Sequence, residues 1–286
     1  MNAALMLVFV ATMIMGVPIA FTMVIAGLAA VVAHGSIDPV AAVQNMFAGI
    51  DSFPLMSIPF FILAAEIMTG GALTDVLLRF ASQLVGHVRG GLGHTSILTL
   101  TFFSGISGSA LADAAGPGTM LFRMMRKAGY DPGYGAALVA STSIIGPIIP
   151  PSIIMIVYAL TEPSVTIMGM FLGGVVPGLM IMAALLLLNH YVAGKRGYRS
   201  AERRASAREV AAGFVRALPA LLMPVIILGG IHLGVFTPTE ASAAAVFYAL
   251  AVGRWIYGTL RFDMLPAILL RTALLSSSIL MIIAAS

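Results

Sequence analysis

Ser141-Thr142-Ser143-Ile144-Ile145-Gly146-Pro147-Ile148-Ile149-Pro150-Pro151-Ser152 is the stretch on which the fold turns. It sits in the middle of an apolar run, 134–160, that is otherwise long enough to form one helix. Pro147, Pro150 and Pro151 supply no amide hydrogen and clash with the preceding turn, so the helix must open here. The carbonyls released have no intrahelical donor, and in hydrocarbon each costs several kcal/mol unless something binds it. A bound cation meets that need, as it does where half-helix ends face a midplane site. A plain proline kink is the simpler alternative, and three prolines within 147–151 weigh against it.

The surroundings decide that the solvent is lipid. The chain of 286 residues is 60% hydrophobic and 9% charged, against about 25% charged in an ordinary soluble domain. Neither Met1–Gly35 nor Val165–Gly194 contains an Asp, Glu, Lys or Arg, and about 20 apolar residues suffice for one helical crossing. The ten-residue alternation of a membrane β-barrel is absent. The fold class expected is therefore an all-α polytopic membrane protein. Met1-Asn2-Ala3-Ala4 lacks a basic leader region, so the first apolar stretch is expected to remain as a membrane segment. With no cysteine, disulfides, thiol nucleophiles and Cys-ligated metals are excluded. The isoelectric point near 9.7 reflects basic residues gathered beside the membrane, a topology signal rather than a nucleic-acid surface.

Apolar runs and their breakers give an order along the chain. Runs 3–15 and 18–34 are separated at Gly16-Val17-Pro18, and a span at 54–70 opens with Phe53-Pro54. Residues 72–86, carrying Asp75 and Arg79, form an amphipathic interfacial helix. After 94–129 and the broken helix 134–160 come spans near 165–193, 217–233, 239–257 and 265–286. The linker 194–216 holds Lys195, Arg196, Arg199, Arg203, Arg204, Arg208 and Arg216, which places it in the cytoplasm. Arg79 and Arg89 before residue 94, and Arg123, Arg126 and Lys127 near 129, then belong to the same side. Both ends of 94–129 share a face only if this segment is a re-entrant hairpin; one long tilted helix is the alternative.

The hairpin tip would be Ser104-Gly105-Ile106-Ser107-Gly108-Ser109, with Asp113 behind it. Glycine and serine at this density make a poor helix interior and favour a tight turn with exposed carbonyls. Converging hydroxyl and carbonyl oxygens suit a hard cation such as Na⁺. Close helix packing through Gly108 and Ala112 is an equal alternative. Asp113 either orients the tip and balances a cation or caps a helix end. Glu66 reads as interfacial, and Glu240 as a first-turn residue with Thr237 at its cap. His34, His87, His94, His190 and His232 show no ligand spacing, and no phosphate-binding loop is present. An intramembrane enzyme would need a base for Ser107, and the sequence offers none nearby.

The chain also resembles itself. Gly16-Val17-Pro18 and Gly234-Val235-Phe236-Thr237-Pro238 each precede an apolar run, and Ile62-Leu63-Ala64-Ala65 is echoed by Ile283-Ala284-Ala285. With opposite orientations, these copies would form an inverted repeat. The first unit would be 1–193, with scaffold helices 1–70, and the second would begin at 217–286. On that reading the second repeat is truncated, and roughly a hundred or more residues would complete it.

In these motifs the sequence resembles the large membrane subunit (DctM-like) of tripartite ATP-independent periplasmic (TRAP) transporters. Besides the two stretches above, the likeness is carried by Phe47-Ala48-Gly49-Ile50-Asp51-Ser52-Phe53-Pro54, Lys127-Ala128-Gly129-Tyr130-Asp131 and Gly234-Val235-Phe236-Thr237-Pro238-Thr239-Glu240. The resemblance implies an elevator-type, Na⁺-coupled carrier in the bacterial inner membrane. It would be braced by a small membrane subunit (DctQ-like) and supplied with an organic anion, a carboxylate such as a C4-dicarboxylate or sugar acid, by a periplasmic binding protein (DctP-like). Carried over residue by residue, the family's first sodium site falls on Ser107 and Ser109 with the carbonyls of Gly146, Ile149 and Pro151. Ser104, Gly105, Gly108, Asp113, Ser141, Ser143, Pro147 and Pro150 would support it. Similar proteins usually carry an Ile-Pro-x-Met-like run in the returning arm, and the nearest stretch here, Leu121-Phe122-Arg123-Met124, has no proline. A stand-alone sodium–dicarboxylate symporter and an inactive truncated copy are the alternative functions.

Overall fold

Helix after helix stops where the sequence supplies a breaker. The computed structural model describes residues 2–285 except Ser36, Ile37, Gly70, Pro163, Arg199, Ala201 and Glu202. Helices α1 (Asn2–Ile14) and α2 (Ile19–His34) are parted by Gly16 at φ +78° and by Pro18, as expected. Helix α3 (Pro39–Ile50) was not anticipated. Asp38 caps it, its carboxylate accepting the Val40 amide at 2.9 Å, and Pro39 occupies the first turn. Its Gln44 and Asn45 hid it from a search for unbroken apolar runs. The chain then bends by 63° into the segment Phe53–Met68, which contains α4 (Ser57–Met68).

Helix α5 (Gly71–Val85) is amphipathic as read. Leu73, Leu77 and Ala81 are buried at successive turns while Asp75 and Arg79 are exposed. Helix α6 (Gly91–Ser107) runs inward, the chain turns at Gly108, and α7 (Ala110–Asp113), a π-helical turn at 114–118 and α8 (Thr119–Lys127) return. Ile97 and Leu100 of α6 share a buried cluster with Leu121 and Met125 of α8. In one continuous helix Ile97 and Met125 would stand about 42 Å apart, so the single tilted helix is excluded and 94–129 is a hairpin. The returning arm does contain a proline, Pro117, inside the π turn and ahead of residues 121–124.

Helices α9 (Pro132–Ser143) and α10 (Ile153–Thr161) are the two halves of the broken segment. Helix α11 (Ile167–Arg196) follows, closed by Gly197 in the left-handed region. Helix α12 (Ala207–His232) begins ten residues before the expected 217, which shortens the basic linker. The Ser206 hydroxyl and the Glu209 carboxylate form a reciprocal capping box, and this polar start nucleates helix within a stretch read as loop. Arg199 lies outside the described residues. Helices α13 (Pro238–Ala251) and α14 (Leu265–Ala285) complete the chain, and Thr237 and Glu240 form the expected cap.

The larger core joins α4, α12 and α13 with the buried face of α5 and parts of α6, α10 and α14. Around it, apolar helices turn outward. In the most hydrophobic window of α11 only 17% of residues are buried, and Val176, Met180 and Leu187 are exposed. Water would not tolerate such a surface, whereas lipid does. Three described helices are individually long and apolar enough to cross a bilayer.

Candidate functional site

The hairpin turn is built from one glycine and two serines. Ser104 to Ser107 remain helical, contrary to the expected irregular tip, because each still finds a place in the last turn of α6. The break falls at Gly108, whose φ of +60° lets its amide return to the Ser104 carbonyl at 3.1 Å. Ser109 then caps α7, its hydroxyl accepting from the Ala112 amide at 3.4 Å.

Asp113 is completely buried and takes side-chain donors rather than capping a helix end. Its Oδ2 accepts the Ser104 hydroxyl at 2.7 Å, and its Oδ1 accepts the Ser107 hydroxyl. Ser107 Oγ in turn lies 3.3 Å from the Ser109 amide that donates to it. Among the described residues no lysine, arginine or histidine pairs with Asp113. An ionised carboxylate in such a place calls for compensating positive charge.

Opposite the hairpin, the missing proline amides act one by one. Pro150 cannot serve the Gly146 carbonyl and Pro151 cannot serve that of Pro147. The Ser152 hydroxyl takes over Pro147, donating to its carbonyl at 2.7 Å, and also caps α10 by accepting from Met155 N at 3.4 Å. Among the described residues nothing donates to the carbonyls of Gly146, Ile149 or Pro151. Gly146 and Pro151 are buried and Ile149 is half-buried.

These two interruptions meet. A Cβ on Gly146 would stand 2.7 Å from Asp113 Oδ2 and 3.0 Å from the Ser109 carbonyl carbon. One on Gly108 would overlap the Pro151 carbonyl oxygen and lie 3.2 Å from Ser152 Cα. One on Gly105 would touch Ile149 Cγ2 at 3.8 Å. Ser104, Gly105, Ser107, Gly108, Ser109, Asp113, Gly146, Ile149, Pro150 and Pro151 thus share one locus, with Pro147 in the same loop. Ser141 and Ser143 sit in the last turn of α9, and Ser143 spends its hydroxyl on the Val139 carbonyl at 2.9 Å. Among the described residues no three His, Cys, Asp or Glu side chains form a metal cluster, so oxygens of the backbone and hydroxyls dominate the site.

Two supports escaped the sequence reading. Pro224 of α12 sits against Gly105, 3.2 Å from where its Cβ would be. Gly174 and Gly178 of α11 press on the broken loop at the Ile148 carbonyl and the Ile149 side chain. Their four-residue spacing is the small-residue signal that would have found them.

A separate polar knot fastens the hairpin base. Asn189 of α11 is fully buried; its Nδ2 donates to the Gly90 carbonyl at 3.1 Å and approaches His94 Nδ1 at 2.7 Å. Its Oδ1 accepts the Tyr134 hydroxyl at 2.8 Å. Asn189→Leu strands the Tyr134 hydroxyl, while His94 Nδ1 keeps the Gly90 carbonyl at 3.0 Å, and is expected to destabilise the protein by about 2 kcal/mol. Detergent-solubilised thermal melts of the variant and parent check this.

A bundle of lipid-facing helices, interrupted where a hairpin turn and a broken helix meet around a buried carboxylate, defines a polytopic membrane protein with discontinuous helices. The chain belongs to the DctM family: the family described as "Tripartite ATP-independent periplasmic transporter, DctM component" matches residues 6–286. Among similar proteins is the sialic acid TRAP transporter large permease SiaM of Vibrio cholerae, 41% identical over 86% of this chain and 57% of that protein. A putative TRAP transporter large permease of Haemophilus influenzae is 40% identical over 98% of this chain and 65% of its own length. The 2,3-diketo-L-gulonate TRAP transporter large permease YiaN of Escherichia coli is 39% identical over 95% and 63%. The chain therefore spans about three fifths of the length of these relatives.

Proposed function

We propose that this chain forms the ion-binding part of the large membrane subunit of a Na⁺-coupled TRAP transporter in the bacterial inner membrane. The observation that carries the reading is the Gly146 carbonyl, left without a donor on a buried residue that packs against Asp113 Oδ2. Ser107 and Ser109 oxygens with the carbonyls of Gly146, Ile149 and Pro151 form the donor set for one sodium ion. This set fits a hard monovalent cation, which takes neutral oxygens readily. Asp113 supplies the counter-charge from behind Ser107. Ser107 lacks a histidine partner, which favours this reading over hydrolytic chemistry.

Elevator-type movement is the mechanism we propose, on an inverted-repeat scaffold. Support for the repeat comes from the two matched breakers. Gly16 bonds back to Met13 O and Val17 to Thr12 O; Gly234 bonds back to Ile231 O and Val235 to Gly230 O, the same spacings. If α2 corresponds to α13 and α4 to α14, the contact of α2 with α14 maps onto that of α13 with α4, and both contacts exist.

The substrate class is a small organic anion. Similar proteins are named for sialic acid, 2,3-diketo-L-gulonate and isethionate, which share one acidic group on a hydrophilic body. That range favours an organic anion in general over a C4-dicarboxylate in particular. A small membrane subunit and a periplasmic binding protein are the partners proposed. Ser107→Ala or Pro151→Ala, measured in the complete transporter, is expected to abolish sodium-driven uptake while membrane insertion stays normal. Uptake with unchanged sodium dependence in both variants would rule the site out.

A further inference from the structure

A second polar locus lies far along the chain from the hairpin tip, between α5 and the first turns of α12. A cavity of about 680 Å³ is walled by Phe80, Leu84, Val210 and Phe214, with His87 and Arg204 at its polar side. An adjoining cavity of about 470 Å³ shares Phe80 and Gln83 and is lined by Arg79 and Arg216. Two buried atoms here have no hydrogen-bond partner, Gln83 Oε1 and His87 Nδ1.

The charges select the ligand further. Among the described residues Arg79, Arg204 and Arg216 form no ion pair, whereas Glu209 is already held by Arg203 and by the Ser206 cap. Asp75 is the remaining acid, so the lining favours an anion. The aromatic and aliphatic walls, with Phe80 and Phe214 rings 5.8 Å apart, exclude a bare inorganic anion as the best fit. They call for an anionic head attached to an apolar body. Placement agrees: α5 is amphipathic, and the basic stretch 195–216 puts this end at the cytoplasmic surface, where anionic lipids gather.

We propose that this cavity seats the headgroup of one anionic phospholipid of the phosphatidylglycerol class. The phosphate faces Arg204, with the glycerol along the His87 side of the cavity, and Arg79 and Arg216 of the adjoining cavity add positive charge. The acyl chains lie over Phe80 and Phe214. The lipid would thereby hold the interfacial helix to α12, a role independent of ion coupling at the hairpin.

The absence of cysteine makes a direct test available. Phe214→Cys, carrying a short photo-crosslinker and reconstituted in phosphatidylglycerol–phosphatidylethanolamine vesicles, is expected to yield an adduct with the mass of phosphatidylglycerol. An adduct to polypeptide, from a partner subunit or from this chain, would overturn the proposal. In parallel, phosphatidylglycerol added to delipidated protein is expected to raise Tm by about 5 °C. Phosphatidylcholine with the same acyl chains, or inorganic phosphate alone, should give no shift. The Arg204→Gln/His87→Leu double variant should lose the response at least fivefold in lipid concentration. An equal response to phosphatidylcholine, a response to free phosphate, or an undiminished response in the double variant refutes the headgroup seat.

Discussion

Asp113→Asn is expected to lower the apparent sodium affinity of uptake about a hundredfold or more while leaving the protein folded. The amide retains an oxygen that accepts a serine hydroxyl, so the bonds to Ser104 and Ser107 are half preserved. What disappears is the charge. An ion coordinated by Ser107 Oγ would stand about 5 Å from the carboxylate, where an effective dielectric of about 20 gives about 3 kcal/mol of attraction. That difference is worth roughly two hundredfold in affinity. Sodium titrations of uptake in proteoliposomes measure it, with Tm as the control for folding. Sodium dependence within twofold of the parent would remove Asp113 from the ion's surroundings.

Gly108→Ala carries the second large effect. A left-handed φ at a residue with a Cβ costs about 1–2 kcal/mol, and here the added methyl also strikes the Pro151 carbonyl. Gly129 provides the matched control, since it has φ +82° and nothing within 4 Å of the added Cβ. Gly129→Ala should show the backbone cost alone. Gly108→Ala should exceed it in lost stability and also abolish uptake, because the hairpin turn must withdraw from the broken loop. Equal melting temperatures for the two variants, with uptake retained in both, would mean that the turn and the loop do not need their close approach.

The breaks were legible because proline and glycine act locally. Pro147, Pro150 and Pro151 forbid a continuous helix whatever lies around them, and Gly108 marks a left-handed residue at a serine-flanked turn. Partnerships were less legible. Asp113 could have capped a helix end, and only the fold shows it taking hydroxyls from six and nine residues earlier. Ser141 and Ser143 were read as supporting residues by proximity in sequence, and the fold adds for Ser143 a bond to the Val139 carbonyl within its own helix. Asn189 was invisible because a single amide in a long apolar span has no pattern; its partners come from residues 90, 94 and 134. Helix α3 and the start of α12 were missed for the opposite reason: their caps, Asp38 and Ser206, open segments whose polar residues resemble loop.

The lone carboxylate at the hairpin has a consequence for valence. When ionised, Asp113 is the single formal charge at the junction, and every other oxygen there is neutral. On the proposed sodium reading, one univalent guest would cancel it and leave the interior electroneutral. Calcium or magnesium would leave a surplus positive charge sealed from water, at a penalty of several kcal/mol. If the proposed site holds, discrimination against alkaline-earth ions is expected from charge counting, before ionic radius enters at all.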